Sequence, residues 1–297
     1  MIEQFLNYLQ LERNYSLRTV QAYSEDLMGF EEYFKNMDSS LTWQMVDADI
    51  IRSWIESMMD KGNTATTINR RLSGLRSFFR FAMRRGLLKK DPSRLIRGPK
   101  SEKPLPSFVK ESEMDALLED GRWTDTYDDV LARTLFIILY ETGMRRAELT
   151  GLNMADVDFA ANELSVVGKG NKHRKIPFGR ELSNALQLYA EKRNEVACAG
   201  AEAFFVTKKG VRMNGEQVRY IVRKKLAGVT TMKKRSPHVL RHSFATAMLN
   251  HQAGIEGVRK LLGHKSVMTT EVYTHVTFEQ MRKVYDAAHP RHSDNNL

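Results

Sequence analysis

Apolar residues recur along the first hundred positions with the three-to-four spacing of amphipathic helices. Positions 2, 5, 6 and 9 of IEQFLNYLQ form one such face and predict a first short helix. A second is predicted from Ser16 to about Asn36. A third follows Asp47 as its cap, with Ile50, Ile51, Trp54, Ile55 and Met58 on its apolar side. The fourth, about 65–85, is the most informative. Ile68, Leu72, Leu75, Phe79 and Ala82 fall in one stripe, while Arg70, Arg80 and Arg84 fall on the opposite face, and Gly86 closes the helix. Such a helix has a dry side for a core and a cationic side for something else.

The stretch GPKSEKPLPS, 98–107, carries three prolines, a glycine and no apolar period. It reads as an extended linker between a helical domain at 1–97 and a second domain at 108–297. In the second domain LARTLFIILYET predicts a buried helix ended by Gly143. ELSVVG and RKIPF alternate as strands joined by the turn KGNKH, with AFFV at 203–206 a candidate third. Helices follow at about 180–197 and 214–228. SPHVLRHSFATAMLNH begins another, with Ser236 as N-cap and Pro237 at the first helical position. The tail FEQMRKVYDAA places apolar residues at 278, 281, 285 and 288, so about 277–288 is predicted as an amphipathic helix. It packs on its own domain or docks on a neighbouring subunit. The expected fold is mainly α, in two domains, with a small antiparallel sheet in the second.

Charge adds a partner to this picture. The chain of 297 residues has a formal net charge of +10. Residues 1–60 hold 4 basic and 11 acidic side chains, whereas 61–110 hold 14 and 2. A second block, 207–241, holds 11 basic residues against Glu216 alone. A short basic run is ordinarily a solvated face, but two long, nearly acid-free blocks suit a polyanion, and nucleic acid is the natural one. The longest strongly apolar run, LFIILY at 135–140, is far too short to cross a bilayer. MIEQFLNYLQ lacks the basic start of a signal peptide, and Cys198 is the sole cysteine. Both suit a reducing cytoplasm, and the latter excludes an intramolecular disulfide or a cysteine-rich zinc module.

Four pieces carry candidate chemistry. In SPHVLRHSF, His238 and Arg241 share a face at a helix start, where free amides, dipole and guanidinium all favour an oxyanion. His238 and His242 also have a zinc-ligand spacing, but Val239 stands where a metalloprotease needs glutamate. In ETGMRRAELTGL, Arg145 sits where the chain turns into a short helix; alone it reads as a surface charge. In VVGKGNKHRKIPF, Lys169 lies between glycines at a hairpin tip, either solvent filler or a group able to reach into a substrate groove. In LLGHKSVMTTEVYTH, His264 precedes Tyr273 by nine residues.

The order of these pieces resembles the tyrosine recombinase (phage integrase-like) family over nearly the whole chain. TGMRRAEL, GKGNKHRKIPF, SPHVLRHSFAT and LLGHKSVMTTEVYTHV look most like its Xer branch. The resemblance implies a SAM-like, core-binding helical domain that clamps DNA, then a mostly helical catalytic domain. It implies that Arg145, Arg241, His238 and His264 surround the scissile phosphate, that Lys169 is the general acid, and that Tyr273 is the nucleophile forming a 3′-phosphotyrosine. Gly143 selects Arg145 over Arg146, and the flanking Gly168 and Gly170 select Lys169 over Lys172 and Lys175.

The implied partners are double-stranded DNA with a specific recombination site and a homo- or hetero-tetramer on two duplexes. A second Xer-type recombinase and an activating DNA translocase belong to the same implication; no cofactor, metal or membrane does. The absence of a GxxxxGK[ST] loop agrees with chemistry that needs no nucleotide. A mobile-element integrase, a type IB topoisomerase, a non-catalytic DNA-binding protein and, remotely, a zinc hydrolase are the competing readings.

Overall fold

The computed structural model describes residues 1–101, 107–168, 172–198, 200–251 and 253–263. The chain divides into two compact units, Met1–Pro104 and Leu105–Leu297.

In the first unit α1, Ile2–Asn7, runs on into a single π-helical stretch, Tyr8–Glu12. Helices α2 (Leu17–Met37), α3 (Ala48–Asp60) and α4 (Ala65–Arg84) follow, capped by the side chains of Ser16, Asp47 and Thr64. The α4 stripe behaves as its spacing requires, since Ile68, Leu72, Leu75, Phe79 and Ala82 are all buried. They meet Phe5, Phe30, Phe34 and Trp54 in one core. Trp43, from the α2–α3 connection, inserts between Phe34 and Phe78 and donates its indole N–H to Glu31 at 2.7 Å. A buried indole needs that partner. Gly86, at φ +68°, lets the chain turn back after α4. Asn69 Nδ2 then donates to the Pro99 carbonyl at 2.8 Å, and Arg76 donates to the Ile96 carbonyl. The start of the proline-rich stretch is therefore tied to α4.

In the second unit α5 (Glu111–Leu118) precedes α6 (Tyr127–Thr142), which is apolar nearly all round and forms the centre of the core. After α7 (Arg146–Gly151) come β1 (Val157–Asp158), β2 (Glu163–Gly168) and β3 (Lys172–Pro177), an antiparallel sheet in the order β1-β2-β3. Its register pairs Val166 with Arg174 and Gly168 with Lys172. Helices α8 (Arg180–Val196) and α10 (Pro237–Asn250) pack on α6, with α9 (Gly215–Leu226) and α11 (Ile255–Leu262) beside them.

AFFV at 203–206 is not a sheet strand. It is buried, yet it makes only isolated bridges, Asn153 with Ala203 and Val206 with Arg212. The reason is Arg193 on α8, whose guanidinium donates to the carbonyls of Ala201, Ala203 and Phe204 at 2.6–3.1 Å. A side chain takes the acceptors that a neighbouring strand would have used. The sheet's third strand is β1 instead. The tail segment 277–288 lies outside the described residues.

Asp26 is a buried carboxylate in the first unit, held by both terminal nitrogens of Arg70 at 2.5 and 2.7 Å, with Arg71 Nε 3.6 Å away. Removing Arg70 leaves that buried carboxylate with the more distant Arg71. Arg70→Ala is expected to cost about 2 kcal/mol in urea unfolding; a loss under about 0.5 kcal/mol would show the pair to be idle.

Candidate active site

Gly143 ends α6 in the left-handed conformation, φ +57°, and a Cβ there would fall inside contact distance of Phe244 and Leu262. Conformation and close approach both require glycine. Two residues on, Arg145 is the N-cap of α7, and Glu148 is the third residue of that helix. The Glu148 carboxylate reaches back to the Arg145 backbone N–H at 2.8 Å, the carboxylate half of a capping box. It also accepts from the Arg145 guanidinium at 2.8 Å, and the second terminal nitrogen of Arg145 donates to the Gly263 carbonyl at 3.1 Å.

Arg241, in the second turn of α10, comes from the other side. It is buried and donates to the carbonyls of Gly143 at 2.6 Å and Leu262 at 2.7 Å. The two arginines thus hold adjacent carbonyls of the turn that ends α11, Leu262 and Gly263, immediately before His264. Burial, and next the Arg145 charge, lower the Arg241 pKa to about 10. It is still a cation at neutral pH.

His238 is exposed, one turn before Arg241, with its ring 4.6 Å from that of His242 in an edge-on arrangement. Its pKa lies below the ordinary value, first because part of its hydration is lost. The His242 ring and the cations Arg241, Lys234 and Arg145 push the same way. At neutral pH it is therefore an uncharged imidazole, able to accept a proton.

The structure brings Arg145, Arg241 and His238 to one place. Lys169, His264 and Tyr273 lie outside the described residues; by sequence Lys169 follows the last residue of β2, and His264 follows the turn held by the arginines. Among the described residues there is no group of His, Cys, Asp and Glu side chains that could hold a metal.

Two residues enter that sequence reasoning missed. Glu148 is one, and its signal was the spacing of three from Arg145. Arg174 is the other. It shares the inward face of β3 with Ile176, opposite buried Val166, and donates from both terminal nitrogens to both Glu148 oxygens at 2.8 Å. Burial alone would raise the Glu148 pKa, but the bonds from Arg174 and from Arg145 bring it down to about 2.

A second cationic place lies in the first unit. Arg80 and Arg84 line a cleft of about 590 Å³ with Arg13 and Arg94, and Arg84 reaches the Tyr8 hydroxyl at 3.2 Å. Arg70 is not part of it, because its guanidinium is spent on Asp26.

With this geometry in place, comparison with known proteins is decisive. The Phage integrase family model matches residues 107–280, and the phage integrase N-terminal SAM-like domain matches 2–86. The tyrosine recombinase XerC of Pediococcus pentosaceus is 35% identical over 298 residues, covering 99% of both chains. The chain belongs to the phage integrase family. It is a tyrosine recombinase of the Xer branch, an enzyme that cuts and rejoins DNA with a tyrosine nucleophile. The XerC of Listeria monocytogenes serotype 4a is 36% identical to this recombinase, covering 97% of each. Among solved structures, XerH recombinase bound to palindromic difH substrate in a post-cleavage complex has a TM-score of 0.72 at 22% identity. It covers 96% of this chain and 84% of the other, and supports the fold.

Glu148 gives the site a measurable acid signature. A carboxyl held at about 2 in the folded chain against 4.5 when free contributes roughly 3 kcal/mol. Because its folded pKa is depressed, that contribution is complete above pH 4.5 and is lost as pH falls toward about 2. Glu148→Gln is expected to be less stable by that order at pH 7 and to lack this acid-dependent part. Urea midpoints of both proteins between pH 7 and pH 2 check it, and a variant as stable as the natural chain at pH 7 contradicts it.

Proposed function

We propose that Tyr273 attacks a scissile phosphodiester held by Arg145 and Arg241, giving a 3′-phosphotyrosyl intermediate and a free 5′ hydroxyl. The observation that carries this reading is the convergence of two guanidiniums on the turn just before His264. Attack on phosphorus builds negative charge on the non-bridging oxygens, and two arginines with histidine donors offset it without a metal. A phenol, with a pKa of about 10, is largely protonated at neutral pH and needs a base. His238, exposed and uncharged, takes that proton. Lys169 gives one to the departing 5′ oxygen, and His264 completes the phosphate cage. The phosphotyrosyl bond conserves the energy of the phosphodiester, so the 5′ hydroxyl of another strand rejoins it with no nucleotide cofactor.

The substrate in this reading is a specific double-stranded site, and the outcome is resolution of chromosome or plasmid dimers in the cytoplasm. Near-full-length XerC relatives support the chromosomal reading over a mobile-element integrase. Residues 1–97 serve as the DNA clamp and 98–107 as the linker to the catalytic domain at 108–297. In the clamp, the Arg80 and Arg84 cleft contacts phosphate, while Arg70 acts chiefly through Asp26. Four protomers, alike or shared with a second Xer-type recombinase, assemble on two duplexes under the control of a DNA translocase. The 277–288 segment, expected from its sequence to be a helix, docks on the next protomer.

The test uses a duplex carrying the chromosomal sequence that the protein protects in footprinting, nicked beside the cleavage position. A denaturing gel should show a covalent adduct that survives EDTA and disappears in Tyr273→Phe; persistence in that variant removes the nucleophile assignment. Lys169→Ala should lose cleavage on ordinary DNA but regain it when the leaving atom is a 5′ sulfur, which departs as a thiolate and needs no proton. A variant equally dead on both substrates shows that Lys169 is not the acid.

A further inference from the structure

We propose that Arg174 is a positioning residue that fixes the β2–β3 hairpin, and with it Lys169, relative to the phosphate-binding Arg145. The inference deepens the reaction proposed above and rests on it for the role of Lys169.

Arg174 occupies a place that strand alternation reserves for an apolar side chain. It stands on the same face of β3 as Ile176, which is 1% exposed, and opposite Val166, which is 2% exposed. Its own side chain is 15% exposed. A cation on the inward face of a sheet is costly unless something there needs it. What needs it is Glu148. Both Glu148 oxygens are taken by Arg174, and each is also taken by Arg145, once through the backbone N–H and once through the guanidinium. One carboxylate with four donors therefore joins a strand of the hairpin to the N-cap of α7.

The geometry is stiff. The Arg174–Glu148 contact is bidentate and planar, which fixes orientation as well as distance. Arg174 also lies against the turn that ends α11, with its Nη1 only 3.1 Å from where a Cβ on Gly263 would stand. That same Gly263 gives its carbonyl to Arg145. In sequence, Lys169 follows Gly168, the end of β2, and Gly168 pairs with Lys172 two residues before Arg174. The contact therefore fixes β3, and β2 paired with it, against α7, and Lys169 follows the end of β2 in sequence. Lys175, the neighbouring basic residue, pairs with Glu163 on the outer side and has no such reach.

The experiment compares the natural protein, Arg174→Lys, Arg174→Ala and Lys169→Ala on the nicked duplex, with either an oxygen or a sulfur 5′ leaving atom. In the first, the P–O5′ bond breaks and the alkoxide takes the lysine proton; in the second, the P–S bond breaks and the thiolate leaves unprotonated. Arg174→Lys keeps the charge beside Glu148 but loses the bidentate fork, so it reports on positioning even if Arg174→Ala fails to fold. Cleavage with the oxygen leaving atom is expected to fall about a hundredfold in Arg174→Lys, and most of that loss should vanish with sulfur. Equal losses on both substrates, or none on either, would overturn the proposal. If Lys169→Ala does not recover on sulfur, the acid assignment falls separately. Amide hydrogen exchange then decides Arg174. Faster exchange in β2 and β3, with α8 unchanged, supports it, and an unchanged hairpin overturns it.

Discussion

One buried carboxylate organises the catalytic unit. Glu148 accepts four hydrogen bonds from two arginines that belong to different elements, and it is 6% exposed. A carboxylate so placed is tolerable only while its donors stay put. Its position in turn fixes where α7 begins, where β3 lies, and which way the Arg145 guanidinium faces. Gly143 supplies the other constraint. Only glycine fits the left-handed end of α6 against Phe244 and Leu262, and its carbonyl then receives Arg241. With these two features in place, the guanidiniums of Arg145 and Arg241 reach the same turn.

The electrostatics follow from the same arrangement. Arg145 and Arg174 share the Glu148 carboxylate while Arg241 is held by backbone carbonyls, so among the described residues the place carries excess positive charge before any substrate arrives. Burial, and next Arg145, hold Arg241 down to about 10, while Glu148 offsets part of this. In the proposed reaction an arriving phosphate relieves the imbalance, and the greater negative charge of a pentacoordinate transition state relieves it further. Donors fixed in advance by Glu148 and by backbone carbonyls need little reorganisation when that charge develops. The His238 pKa is lowered first by lost hydration and then by the His242 ring and these cations, since positive charge nearby disfavours another proton.

Much of this was legible in the sequence. The α4 stripe, the helix start at Ser16, the cap at Asp47, the glycine after α6 and the proline opening α10 are local features, and local features determine helices directly. The order of Arg145, Lys169, His238, Arg241, His264 and Tyr273 resembled the family whose models match the chain. Long-range substitutions of one polar partner for another were not legible. Nothing near AFFV says that Arg193 will take its carbonyls, and alternation in RKIPF puts Arg174 on the face of Ile176 without saying that Glu148 lies there to receive it. Arg70, on the cationic face of α4, looked free because Asp26 lies 44 residues away in sequence. In each case the deciding partner sits on another element, beyond the reach of periodicity.

The claim at the centre of this account is that Arg145 and Arg241 act by offsetting charge on the scissile phosphate. The direct measurement replaces one non-bridging oxygen of that phosphate with a methyl group, which removes its negative charge while leaving the tyrosine and the leaving oxygen unchanged. Single-turnover formation of the covalent adduct is then compared for the natural protein, Arg145→Ala and Arg241→Ala on both substrates. The account predicts that each variant is crippled on the natural phosphodiester and regains adduct formation on the neutral one. Variants that stay equally inactive on the neutral substrate, while binding the duplex normally, would contradict it.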